Sequence, residues 1–90
     1  MKIVKIACAG TLESSDVYVE IEPCDRGIQI ELESVVKERF GDEIIKVTVA
    51  VLKENGVDGA LVRLSDKGAL ECVIRARVET AIMRAGEETK

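Results

Sequence analysis

The stretch SVVKERFGDEIIKVTVAVLKENG, residues 34–56, admits two periods, and the choice between them decides the fold. Val36, Phe40, Ile44, Val47 and Val51 recur at four, four, three and four residues, a single helical stripe running through Gly41. Ile45, Val47, Val49 and Val51 also alternate with Lys46, Thr48 and Ala50, a strand pattern in the β-branched residues that suit a pleated surface. Helix is the better reading, because its stripe spans both halves of the stretch and Asn55-Gly56 is a strong C-terminal stop. Ser34 supplies an N-cap for a helix starting at Val35. Gly41-Asp42 is the place for a break or kink, with Asp42 as a second cap.

Upstream of this helix the period is two. Ile28, Ile30 and Leu32 face one side of a strand and Gln29, Glu31 and Glu33 the other, after a loop at Pro23–Gly27. Val17 to Glu22 alternates strictly, with Val17, Val19 and Ile21 inward. Residues 3 to 12 read as a first strand with Val4, Ile6, Cys8, Gly10 and Leu12 on one face. Setting Glu13 opposite Asp16 brings Leu12 to Val17, Gly10 to Val19 and Cys8 to Ile21, so that every core-facing residue meets another. Ser14 is then expected at the exposed tip of a β-hairpin. A four-residue loop, 13–16, is preferred there, since Ser-Ser suits the positive φ of a two-residue turn poorly. Pairing Ile21 with Ile28 and Val19 with Ile30 extends the apolar face. The opposite face then gathers Glu20, Glu22, Glu31 and Glu33, either as a solvated sheet surface or as an acidic surface for a basic partner.

Downstream, Gly59 to Leu64 forms a fourth strand with Ala60, Val62 and Leu64 inward, ended by a turn at Asp66-Lys67-Gly68. Leu70, Val73, Ile74, Val78, Ala81, Ile82 and Ala85 then trace one face of an amphipathic helix, with Glu71 and Arg75 as an i, i+4 pair. The expected fold is α+β: a mixed four-stranded sheet, β-β-β-α-β-α along the chain, with two helices packed on one face. A right-handed crossover through the first helix makes the third and fourth strands parallel. Residues 1–85 form one domain, and 86–90, small or charged, form a frayed tail.

Composition removes several functions. Seventeen acidic residues against thirteen basic ones, a net charge of −4, argue against nucleic acid. No apolar run approaches the ~20 residues of a membrane span and no signal region follows Met1-Lys2, so the expected place is the cytoplasm, away from membranes. The chain has no histidine, and so lacks the commonest general base, the commonest metal ligand and every Ser-His or Cys-His nucleophile. It reads as non-catalytic, with no metal. Cys8, Cys24 and Cys72 are odd in number and far apart, as free thiols are; Cys8, facing the core, and Cys72, beside the last helix's stripe, read as packing residues. Arg77 lies at the edge of that stripe, where it either snorkels to solvent or holds an anion, a partner's carboxylate or a phosphate of a bound arm, with its guanidinium fork. Arg75 is the other charge of interest. By composition alone, Ser14 is a turn residue.

The segment Ala9-Gly10-Thr11-Leu12-Glu13-Ser14-Ser15-Asp16-Val17 closely resembles the N-terminal region of citrate lyase acyl carrier proteins, the gamma subunits of that complex. Lys37 to Asp42, Asp66 to Cys72 and Ile74 to Arg77 resemble the same family at compatible spacings, so that the likeness runs from Lys2 to Ala85. The resemblance implies a carrier whose Ser14 holds, through a phosphodiester, a phosphoribosyl-dephospho-coenzyme A group ending in a phosphopantetheine thiol. It implies the citrate lyase alpha and beta subunits and a prosthetic-group transferase as partners. The thiol's acetyl thioester is exchanged for citryl by alpha, and beta cleaves the citryl thioester to oxaloacetate, so that citrate yields acetate and oxaloacetate. The family often has glycine where this chain has Ser15, so the choice between Ser14 and Ser15 rests on the family's modified serine following a residue like Glu13. Two alternatives remain at this point: the related carrier of malonate decarboxylase, and an unmodified α+β interaction module.

Overall fold

A computed structural model describes residues 1–87 of the chain. Its elements are β1 (Lys2–Ile3), β2 (Ala7–Gly10), β3 (Val17–Glu22), β4 (Ile28–Ser34), α1 (Lys37–Glu54), β5 (Ala60–Asp66), α2 (Glu71–Ala85) and β6 (Gly86–Glu87). The main sheet has the order β2-β3-β5-β4. β3 is antiparallel to both its neighbours, and β4 is parallel to β5 across the α1 crossover. The α+β class, the mixed four-stranded sheet and the two helices are as expected. The neighbours are not: β3 and β4 were expected side by side, yet β5 lies between them. A strand that alternates strictly is apolar on one face whoever its partner is, so periodicity could not distinguish the two arrangements.

The disputed stretch is helical from Lys37 to Glu54. α1 runs unbroken through Gly41-Asp42, so there is neither a kink nor a second cap there. Gly41 is buried; a Cβ on it would make ordinary contact with a Leu32 methyl at 3.8 Å and would crowd only the Lys37 stem of its own helix, at 3.2 Å. The buried face is Gly41, Ile44, Thr48, Val51 and Leu52. Phe40, expected on the core stripe, is 49% exposed at its edge, with the Arg39 guanidinium 5.7 Å from the ring centre. The helix starts at Lys37 rather than Val35: Ser34 still closes β4, and its Oγ accepts the Val36 N–H at 3.1 Å. At the other end Gly56 takes φ 70°, the Val57 N–H reaches the Leu52 carbonyl and the Gly56 N–H the Lys53 carbonyl, a Schellman ending.

The core lies between the sheet and the helices. Val17, Val19 and Ile21 of β3 meet Ala60, Val62 and Leu64 of β5, under Ile74, Val78, Ala81 and Ile82 of α2. Nearly all of these are the inward positions read from the sequence. The first strand is the exception. The expected strand over residues 3–12 is two: β1 pairs with β6, and β2 pairs with β3 one residue out of the anticipated register, Ala9 with Val19 and Gly10 with Tyr18. Ala9 is therefore buried and Cys8 exposed, while Val4, Ile6 and Leu12 lie outside the strand and are exposed. The large side chains were misleading; the small residue faces α2. Gly86 and Glu87, read as the beginning of a frayed tail, form β6; residues 88–90 of that tail lie outside the described residues.

The uncovered face of the sheet carries the expected glutamates, and Arg63 stands among them. Its guanidinium bonds Glu20 at 2.9 Å and Glu22 at 3.1 Å and lies 3.6 Å from Glu31. Such half-exposed pairs add little stability but relieve like-charge repulsion across the strands.

Among the described residues one charged group is deeply buried. Asp66, 1% exposed at the end of β5, accepts the Ser34 hydroxyl at 2.7 Å and the Ala69 N–H at 2.9 Å, joining the ends of two parallel strands to the turn before α2. Truncation in Asp66→Ala leaves both donors unpaired, and an unpaired buried group costs about 1–3 kcal/mol. Urea denaturation should show a loss of that size with an unchanged m-value.

Candidate functional site

The site is built where β2 gives way to β3. Gly10 ends β2 at φ 94°, a conformation natural to glycine. Residues 11–16 then form the connection, and Glu13-Ser14-Ser15-Asp16 is a turn closed by the Asp16 N–H on the Glu13 carbonyl at 3.1 Å. The four-residue turn is thus where the sequence reading put it, although the strands beyond it are displaced by one residue. Ser15, third in the turn, has φ 66°, the only non-glycine residue among those described in the left-handed region. Glycine takes this conformation freely, whereas a serine holds it only at a cost.

Two neighbours anchor the turn. The Ser15 N–H donates to the Lys67 carbonyl at 2.8 Å and the Lys67 N–H to the Asp16 carbonyl at 2.9 Å, extending the β3–β5 ladder beyond Val17 and Asp66. The Asp16 carboxylate accepts four bonds: from Arg77 Nη2 at 2.9 Å and Nε at 3.1 Å, from Thr11 Oγ1 at 2.7 Å and from the Val17 N–H at 2.7 Å. Arg77 therefore neither snorkels freely to solvent nor waits for a partner's carboxylate or an arm's phosphate: its fork holds Asp16 of its own chain. Its stem passes the end of β2, where a Cβ on Gly10 would stand 3.3 Å from Arg77 Cδ. Arg75 bonds Glu54 rather than the Glu71 of its own helix, and so ties α2 to α1 away from the site.

Against this fixed frame Ser14 is exposed, and neither its hydroxyl nor its N–H is hydrogen-bonded among the described residues. Such a hydroxyl is free to be esterified without loss of a structural bond, and the space around it suits a bulky substituent. The neighbouring anchors, Thr11, Asp16 and Lys67, were not singled out in the sequence. Cys8 and Cys72 are exposed and Cys24 half-buried, all three free thiols, so the first two are not core packing residues. No group of three or more His, Cys, Asp or Glu among the described residues is placed to hold a metal.

Arg77 first, then Thr11 and the Val17 N–H, hold the Asp16 carboxyl down from the ordinary 3.8 to about 2. A carboxyl whose folded pKa lies below its unfolded one binds fewer protons when folded, so its contribution to stability is complete above the unfolded value and disappears as pH falls. Asp16→Asn should therefore melt below the unsubstituted protein near neutral pH, with the gap closing as the pH is taken from about 4 down to about 2. Thermal melts across that range check it; a gap independent of pH would contradict the pairing.

The fold is thus an α+β sandwich that presents two exposed serine hydroxyls, Ser14 and Ser15, on a braced turn. The family described as ACP: Malonate decarboxylase delta subunit (MdcD) matches residues 4–85. The citrate lyase acyl carrier protein of Escherichia fergusonii is 58% identical, over 100% of this chain and 94% of that protein. Citrate lyase acyl carrier protein 2 of Salmonella typhimurium is 55% identical over the same shares, and the Clostridium perfringens protein 54% over 97% and 87%. A chain in the crystal structure of a Pseudomonas malonate decarboxylase hetero-tetramer in complex with malonate shares the fold, at a TM-score of 0.64 and 21% identity over 96% of this chain and 93% of that one. The chain belongs to the citrate lyase acyl carrier proteins, non-catalytic carrier subunits. Membership in an acyl carrier family entails a prosthetic group and a multisubunit complex. No helix among the described residues is long and apolar enough to cross a membrane.

Proposed function

We propose that Ser14 is the attachment point of a phosphoribosyl-dephospho-coenzyme A group, and that this chain carries acyl groups between the alpha and beta subunits of citrate lyase in the cytoplasm. The observation that supports it most is the contrast within one turn: Ser14 exposed and unbonded, its neighbours Ser15 and Asp16 tied to Lys67 and Arg77. A long arm must reach two active sites in succession, and a firm anchor spares it the search that diffusion would impose. When bound, the group supplies a thiol that forms thioesters. The chain's own residues supply the anchor: Asp16 and Arg77 brace the turn, Lys67 ties it to the sheet, and a core of Val, Ile and Leu keeps the scaffold rigid beneath it. The citrate lyase relatives at 54–58% identity favour that complex over malonate decarboxylase, whose structural counterpart is 21% identical.

Expression together with the prosthetic-group transferase and the enzymes that make its substrate, followed by peptide mass analysis, tests the reading. The peptide holding Ser14 should gain the mass of the group. A fully processed sample with no added mass there would overturn the assignment.

A further inference from the structure

We infer that the Asp16–Arg77 fork selects Ser14 over Ser15 for modification, with Arg77 as a positioning residue acting through Asp16. This rests on the attachment reading above and concerns how one of two adjacent hydroxyls is chosen.

Ser14 and Ser15 offer the same chemistry one residue apart, and both are exposed. They differ in backbone state. Ser15 holds the left-handed conformation, φ 66°, and gives its N–H to the Lys67 carbonyl. A non-glycine residue stays in that region only where its surroundings over-determine it. The surroundings here are the turn's closing bond from the Asp16 N–H to the Glu13 carbonyl, the two backbone bonds to Lys67, and the Asp16 carboxylate. The last is gripped by both Arg77 nitrogens and by the Thr11 hydroxyl.

Arg77 is the sole member of that grip from outside the loop and its flanking strand, 61 residues away on α2. It is what holds the turn to the helix layer. Without the guanidinium the loop keeps its local bonds but loses its tie to α2, and Ser15 can leave the left-handed region. The peptide between the two serines then rotates, and the hydroxyls no longer have fixed and different presentations. In the braced turn an approaching transferase meets Ser14 in one orientation, with Ser15 held aside.

The test compares the unsubstituted chain with Arg77→Ala, Arg77→Lys and Arg77→Ala/Ser15→Gly, each co-expressed with the modifying enzymes. Fragmentation mass spectra locate the group, purified apo-protein gives kcat and KM for the transferase, and circular dichroism confirms folding. We expect loading of the unsubstituted chain at Ser14 alone. Arg77→Ala should load Ser14 and Ser15 as a mixture, with kcat/KM down roughly tenfold, carried mostly by KM. Arg77→Lys, one donor in place of a fork, should fall between. It also decides the matter if Arg77→Ala does not fold, since wild-type selectivity and kinetics in Arg77→Lys would then overturn the inference. Arg77→Ala/Ser15→Gly should recover most of the lost efficiency, because glycine takes the turn's positive φ without the strain that drives a serine out of it. Exclusive Ser14 loading at an unchanged rate in folded Arg77→Ala would overturn the selection role and leave the attachment reading intact. Loading at Ser15 in the unsubstituted chain, or at neither serine, would overturn both.

Discussion

Ser14→Ala, co-expressed with the modifying enzymes, folded and mixed with the partner subunits of citrate lyase, should restore no citrate cleavage, while Ser15→Ala treated in the same way should restore it. Ser14 is exposed and makes no hydrogen bond among the described residues, so its hydroxyl contributes nothing measurable to the fold and its removal should leave the melting curve in place. Its effect on function is complete if it is the anchor, because Ser15, the other exposed hydroxyl of the turn, sits on a different backbone conformation, at φ 66°. A short flexible tether supplies an effective concentration on the order of millimolar. Micromolar amounts of a free thioester should therefore not replace the tethered group. Ser15→Ala keeps a Cβ in the left-handed region and should cost little beyond what Ser15 already bears. Loss of cleavage in Ser15→Ala with full activity in Ser14→Ala would move the anchor by one position.

Gly10→Ala is the substitution expected to damage the fold most. A Cβ at Gly10 would lie 1.8 Å from the Val17 carbonyl oxygen, a backbone atom that cannot turn aside as a side chain does. The residue also holds φ 94°, which an L side chain adopts only at a cost. Relief requires β2 to separate from β3 just where the turn begins, which disturbs Ala9 against Val19 and displaces the Arg77 stem. A destabilisation of at least about 2 kcal/mol follows from the strain and the lost pairing together. Urea denaturation measures it, and loading at Ser14 should fall with it because the turn loses its start. A variant as stable as the unsubstituted protein would mean that the strand end yields far more easily than its geometry allows.

How much of this was readable beforehand depended on the range of the interaction. Val17 to Glu22 and Ala60 to Leu64 declared their inward faces through alternation alone, and the Asn55-Gly56 stop settled the helical reading of α1 against a credible strand pattern. Where a strand pairs is a separate matter. β4 follows β3 in the chain and shares its pattern, yet residues 28–34 lie at the sheet edge beside residues 60–66, because the crossover through α1 brings β5 in between β3 and β4. The register of β2 went astray for a different reason: Ile6 and Leu12, the side chains that fixed the expected face, fall beyond the ends of a strand only four residues long. At the site, a serine in a polar turn could be located from local pattern, and its meaning came from family likeness. The brace could not be found that way. Asp16 and Arg77 are 61 residues apart, and Ser34 and Asp66 32 apart, each an ordinary charged or polar residue until the fold joins them.

The order of synthesis gives the central position of β5 a temporal meaning. Ser14 leaves the ribosome early, but β5 ends at Asp66, the backbone partner of the turn is Lys67 and its cationic brace is Arg77. A nascent chain cut anywhere before that point exposes the serine without its seat, since β2 and β3 form an isolated hairpin that is marginal at best. If Ser14 is the attachment point, a modifying enzyme that needs the braced turn would load only a chain made and folded through Arg77, nearly the whole domain.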